Sequence, residues 1–172
     1  LSTVQPCVNP EDALLNRYNR LGGYTDCYSV EVPFLVPFGT FVEAFYTTWI
    51  FKLERLILKL LVAKPSSDAQ ARQLAKGKIN KFAAWTVEDK ADNQLMMCDF
   101  QKKTRSFFMV RPHGENSTRL FFGSAIVATE QSKQGDPTLS LFFKCLLGFH
   151  KYYSIILLSA ARRKLAKSIG SR

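Results

Sequence analysis

An α+β fold, with an antiparallel sheet closed by a long C-terminal helix, is what this sequence of 172 residues predicts. Three observations carry the prediction. Residues 82–129 alternate between apolar-rich runs and short polar separators, the mark of strands joined by hairpins. Residues 38–63 and the C-terminal stretch from Pro137 instead repeat apolar side chains every three or four positions, the helical period. Apolar residues make up 47% of the chain and aromatics 13%, which is material for one sizeable core. No internal repeat, low-complexity stretch or shift of composition divides the chain. A single domain is therefore expected over 1–172, with an N-terminal helical extension (1–23), a core (24–166) and a basic tail (167–172).

Asn9-Pro10-Glu11-Asp12 reads as a helix start, with Asn9 as cap, Pro10 in the first turn and two acids at the positive end of the dipole. Gly22-Gly23 ends that helix. Tyr28, Val30 and Val32 then alternate with Ser29 and Glu31 in a strand over 24–32. Beyond Pro33 and Pro37 a helix is expected over 38–63, with Phe41, Phe45, Trp49, Leu53, Leu56 and Leu60 on its apolar face. Trp49 is accordingly expected in the core, as is Trp85. Ser67 caps a shorter helix over 68–76, released by Gly77. Four strands follow, over 82–89, 94–100, 104–111 and 118–129, as a meander. With a three-residue second turn, Asp99 faces Arg105 as an opposite-charge pair. Asp136 and Pro137 open the last helix, whose apolar face takes Leu139, Phe142, Leu146, Phe149, Tyr153, Ile156 and Ala160.

Cys7, Cys27, Cys98 and Cys145 form no C-x-x-C pair and are expected as reduced, packed thiols in a cytoplasmic protein. His113 and His150 lack ligand-spaced partners, so no metal is expected, and no cofactor. The absence of a Gly-rich phosphate loop, a nucleophile elbow and a paired-carboxylate motif disfavours the enzymes built on those devices. Leu1-Ser2-Thr3 opens the chain without the basic and apolar regions of a secretory signal. Both long apolar segments are interrupted by charges and read as amphipathic helices, not bilayer spans.

The formal charge of +10 is unevenly placed. Residues 1–62 carry five basic and six acidic side chains, whereas 63–172 carry nineteen and eight. Arg162, Arg163, Lys164 and Lys167 complement the negative end of a long helix. Weak contact with an anionic membrane is a second role for them. Nucleic acid is disfavoured, because no exposed aromatics interleave with the basic residues.

The order strand, two helices, antiparallel meander, long terminal helix resembles the helix-grip fold of the START, polyketide-cyclase and birch-pollen-allergen superfamily (SRPBCC). Four runs are similar in cadence to the strands of an uncharacterised bacterial branch of it, over 24–166. They are Phe82-Ala83-Ala84-Trp85-Thr86-Val87, Leu95-Met96-Met97-Cys98-Asp99, Arg105-Ser106-Phe107-Phe108-Met109-Val110 and Thr118-Arg119-Leu120-Phe121-Phe122-Gly123-Ser124-Ala125. The resemblance implies an apolar pocket between sheet and terminal helix that binds a lipid-like or polyketide-like molecule. Binding without catalysis is the first expectation. The alternative is a cyclase, dehydratase or isomerase using His150, Tyr153 or Asp99 as acid or base. Candidate pocket residues are Trp85, Met97, Phe107, Phe121, Phe142 and Phe149, with Asp99, Arg105, His150 and Tyr153 as the polar ones. For an aromatic the default role is core packing, and for Asp99 and Arg105 it is cross-strand pairing.

Overall fold

The computed structural model describes residues 3–127 and 137–170, and the side chains of these except 61, 62, 137–150, 169 and 170. Seven antiparallel strands form one sheet: β1 (Gln5–Pro6), β2 (Tyr24–Val32), β3 (Lys81–Phe82), β4 (Trp85–Ala91), β5 (Gln94–Asp99), β6 (Thr104–Pro112) and β7 (Thr118–Ile126). Their order across the sheet is β1-β2-β7-β6-β5-β4-β3. The helices are α1 (Asn16–Arg20), α2 (Phe38–Tyr46), α3 (Trp49–Val62), α4 (Asp68–Ala75) and α5 (Pro137–Gly170). The α+β class, the antiparallel meander and the terminal helix are as the sequence predicts.

Alternation along the strands makes the sheet apolar on both faces. Tyr28, Val30, Leu95, Met97, Phe108, Val110, Leu120 and Phe122 point to an inner face, where α2 and α5 cover them. Phe45 of α2 stands over this face, with ring centroids 4.8 Å from Phe108 and 4.6 Å from Phe122. From α5 come Leu157, Leu158, Ala161 and Leu165, all buried. The buried face of α5 therefore sits one residue round from the expected one, and Ile156 is exposed.

Cys27, Met96, Phe107, Met109, Phe121 and Ala125 point the other way and form a second apolar cluster with Ala13, Leu15 and Tyr18. The N-terminal segment is the cover of this outer face. Leu15 is wholly buried beside Gly123, and a Cβ on that glycine would stand 2.8 Å from a Leu15 methyl and 2.6 Å from the Asp26 carbonyl. This segment is not the expected helix from Asn9. The Asn16 amide side chain donates to the carbonyls of Pro10 and Glu11, holding a turn there, and only α1 is helical. Such local side-chain bonds compete with helix extension.

Two further corrections concern breaks in the chain. The helix expected over 38–63 is two helices, because Thr48 leaves the helical conformation and its hydroxyl accepts from the Phe51 amide as a new N-cap. The first strand of the meander is likewise broken, at Ala83, whose φ of 51° ends β3 and starts β4. With β1, the described sheet has seven strands where five were expected. Ser67 does cap α4, through a full capping box with Gln70.

The break at Thr48 decides the fate of Trp49. It re-phases the helix, so that Phe51 enters the core while Trp49 is 73% exposed, against expectation. Phe45→Ala should cost about 3–5 kcal/mol of stability, whereas Trp49→Ala should stay within about 0.5 kcal/mol. Equilibrium urea unfolding measures both, and a larger loss at Trp49 would put it back in the core.

Candidate functional site

A cleft with a volume of about 360 Å³ lies between α2, with the residues just before it, and the last turns of α5. Its walls are mostly apolar, from Leu35, Val36, Pro37, Ala44 and Leu165, with Thr40, Glu43, Thr47, Lys164 and Ser168 as the polar lining. Pro37 sets the entry of α2 and the Val36 amide is tied to the Thr118 hydroxyl at 3.0 Å, which fixes one wall. Lys164 is the chemically distinctive group. Its Nζ donates to the carbonyl and the hydroxyl of Thr47, at 2.7 and 2.6 Å. Of three ammonium donors two are thereby engaged, leaving one for the cleft. Burial and nearby Lys52 hold the Lys164 pKa below that of an ordinary lysine, against the pull of Asp68 and Glu43. A second, smaller cleft of about 140 Å³ lies between α2, α4 and the β4–β5 edge.

A carboxyl–phenol pair joins α3 to α5, where the Tyr153 hydroxyl donates to Glu54. Burial raises the Glu54 carboxyl above the usual 4.5, the bond from Tyr153 opposing. Burial also raises the Tyr153 phenol, helped by the Glu54 charge. Neither cleft is lined by this pair.

The residues singled out in the sequence are not brought together. Met97 lies fully buried on the inner face, and Trp85 packs there against Phe51, with ring centroids 5.6 Å apart. Phe107 and Phe121 belong to the outer face, on the opposite side of the sheet. Arg105 is also on that side, where it pairs with Glu88 and its Nε donates to the Tyr18 hydroxyl at 2.7 Å. Tyr18 in turn donates to Glu88, so the expected Asp99–Arg105 pair is replaced. The strands register Cys98, not Asp99, against Arg105. Asp99 instead closes the β5–β6 turn, accepting from the Thr104 amide at 2.8 Å. The side chains of Phe142, Phe149 and His150 lie outside the described residues, as does that of Cys145. Among the described residues no group of histidines, cysteines and carboxylates is placed to hold a metal. None of the described helices is long and apolar enough to cross a membrane.

Sequence reasoning missed three groups. In the sequence Lys164 is one of four cations at the negative end of the last helix, whereas the structure also sets it at the cleft. Glu54 was read as an interruption of an apolar helix. Cys7 and Cys27 were read as separate packed thiols, yet β1 runs antiparallel to β2 with Pro6 opposite Tyr28, and the Cys7 amide donates to the Cys27 carbonyl at 2.9 Å. A hydrogen bond from Cys27, aided by Ser29 and Arg119, pulls the Cys7 thiol down to about 7 against its burial. Their common register rests on a two-residue strand, and no periodicity announces one that short.

Scans of family models, curated proteins and solved structures return no match for this chain.

Two measurements follow from this geometry. A carboxyl whose folded pKa exceeds its unfolded one contributes stability in full below the unfolded value, and loses it as pH rises through the folded value. Relative to the parent, Glu54→Gln should therefore gain stability as pH rises from 4.5 toward neutrality. A difference that stays flat with pH would show Glu54 to be solvated. Iodoacetamide at neutral pH should alkylate Cys7 ahead of Cys27 and Cys98, read by peptide mass spectrometry, because thiolate fraction favours it over both and access favours it over Cys27. Equal rates at the three would mean the thiol pair does not persist.

Proposed function

We propose that this protein binds a small amphipathic molecule in the cleft between α2 and α5, without transforming it. The observation that carries the reading is Lys164, an exposed lysine whose ammonium is held by Thr47 at the rim of a cleft that also offers an apolar wall. A ligand with a carboxylate or similar acidic head would take the remaining Lys164 donor through a charge-assisted bond. Its apolar body would lie along Leu35, Pro37, Ala44 and Leu165. A donor on the ligand, such as a hydroxyl, would suit Glu43. The volume, near the lower end for small-molecule sites, favours a compact ligand over a long-chain lipid.

The helix-grip reading supports the same function. Two α-helical segments and α4 separate β2 from the meander, β2 pairs with β7 at the far end of it, and α5 returns over the inner face. In that superfamily the ligand enters between sheet and terminal helix. Here the described part of that space is occupied by Phe45, Phe108, Phe122 and Leu158, which moves the proposed site to the end of α5.

Titration with decanoate, followed by chemical-shift changes at Ala44 and Leu165, is the test. Binding should weaken by about tenfold in Lys164→Gln, and should fall as pH rises through the lowered lysine pKa. Filling the cleft with Ala44→Phe should abolish it. Shifts that persist in both variants would place the ligand elsewhere.

A further inference from the structure

Helix α3 turns Phe51 and Arg55 toward the fold and leaves an apolar face outside. Trp49 and Leu60 are each 73% exposed, and Leu53, Leu56 and Ile57 are exposed to about half. At about 100° per residue, positions 49, 53, 56 and 60 make one stripe along the helix, with Ile57 beside it. Lys52 and Lys59, two turns apart, follow one border of that stripe, and both are exposed. On the other side lies α5, joined through Tyr153 and Glu54, with exposed Tyr152, Ile156, Lys151 and Arg163.

Acidic groups are few at this surface, and those present are paired. Glu54, the one acid of α3, is half-buried and engaged by Tyr153. Along Pro137–Gly170 α5 has none. Asp68, which meets Lys52, is shared with Arg55.

That combination selects among occupants. A second copy docking face to face would set the Lys52 and Lys59 borders against cations of its twin, a like-charge contact that is unfavourable. An anionic bilayer meets both features at once, because a helix lying in the interface puts tryptophan and leucines at the acyl boundary and lysines among the headgroups. We propose that α3 is a membrane-docking helix, lying flat on an anionic bilayer with Trp49, Leu53, Leu56 and Leu60 inserted and Lys52 and Lys59 at headgroup level. This contact differs from one made by the basic tail alone, since the Lys164 ammonium is tied to Thr47. It also stands independently of the cleft.

Vesicles of phosphatidylcholine, with and without phosphatidylserine, test it on the full chain. Protein should co-sediment with the anionic vesicles at low salt and much less with the neutral ones. The emission of Trp49, taken as the difference between the parent and Trp49→Phe, should shift to the blue. Leu53→Ser with Leu60→Ser should lower partitioning by at least about tenfold, with an unchanged thermal unfolding curve because both side chains are exposed. Lys59→Glu, which leaves the apolar stripe intact, should lower it as well. The proposal is overturned if the protein stays in the supernatant at low salt, if the leucine variant binds like the parent, or if Trp49 emission does not move. It is equally overturned by a parent that is dimeric in sedimentation equilibrium and becomes monomeric on losing the two leucines, which would make a second copy the occupant.

Discussion

Phe45 is the point from which the inner half of the molecule is organised. Its ring meets Phe108 edge-on, lies tilted against Phe122, and approaches Tyr46 and Phe51 at centroid distances of 5.6 and 6.0 Å. Aromatic pairs hold defined relative orientations, so this cluster fixes α2 in both position and tilt over β6 and β7. Everything on that side is placed relative to α2. The second half of α5 lies beside it, and α4 packs Ala71 and Leu74 into the same cluster. The rings also fill what would otherwise be hollow. Both clefts lie at the margins of this cluster, one of them between α2 and the Lys164 turn of α5.

An antiparallel sheet commonly leaves one face to water. This one does not, and the outer-face residues Met96, Phe107, Met109 and Phe121 create the need for a cover. Residues 3–20 meet that need with little regular structure of their own. They are held by polar bonds to the strands beneath: the Leu14 backbone amide to the Gln94 Oε1, the Gln94 Nε2 to the Asp12 carbonyl, and the Tyr18–Glu88–Arg105 group. Arg105 and Glu88 are mostly shielded, and each charge there has a partner, which is the condition for burying it. Gly123 then matters as an absence, because a side chain at that position would displace Leu15 from its seat.

What was legible in the sequence is what depends on period and local chemistry. Strand β2, the Ser67 cap of α4, the β5–β6–β7 meander and the helix from Pro137 all follow from alternation, helical spacing or caps. What was not legible depends on which of two surfaces an apolar residue meets. The spacing of Phe41, Phe45, Trp49, Leu53 and Leu60 is one unbroken helical pattern, and nothing in it says that Thr48 interrupts the helix and turns the later members outward. The outer-face aromatics mislead for the same reason: period two tells that Phe107 and Phe108 face oppositely, but not that both faces are covered. The Asp99–Arg105 register failed by one residue because Asp99 bonds inside its own turn. Lys164 could be recognised only in three dimensions, since Thr47 lies 117 positions away.

The interruption at Thr47 and Thr48 links the two surfaces proposed to be functional. Thr47 gives its carbonyl and hydroxyl to Lys164, and Thr48 caps α3, so adjacent residues anchor the cleft and start the exposed helix. Trp49, the first residue of the apolar stripe, is therefore two positions from the wall of the cleft. An uninterrupted helix would continue the phase of Phe41 and Phe45 and carry Trp49 toward the core, at the cost of both features. Burial of Trp49 would contribute more stability than its exposure does. A fold that leaves so large an apolar side chain in water, next to a cap that directs it there, forgoes stability that the proposed docking of α3 on an apolar surface would recover.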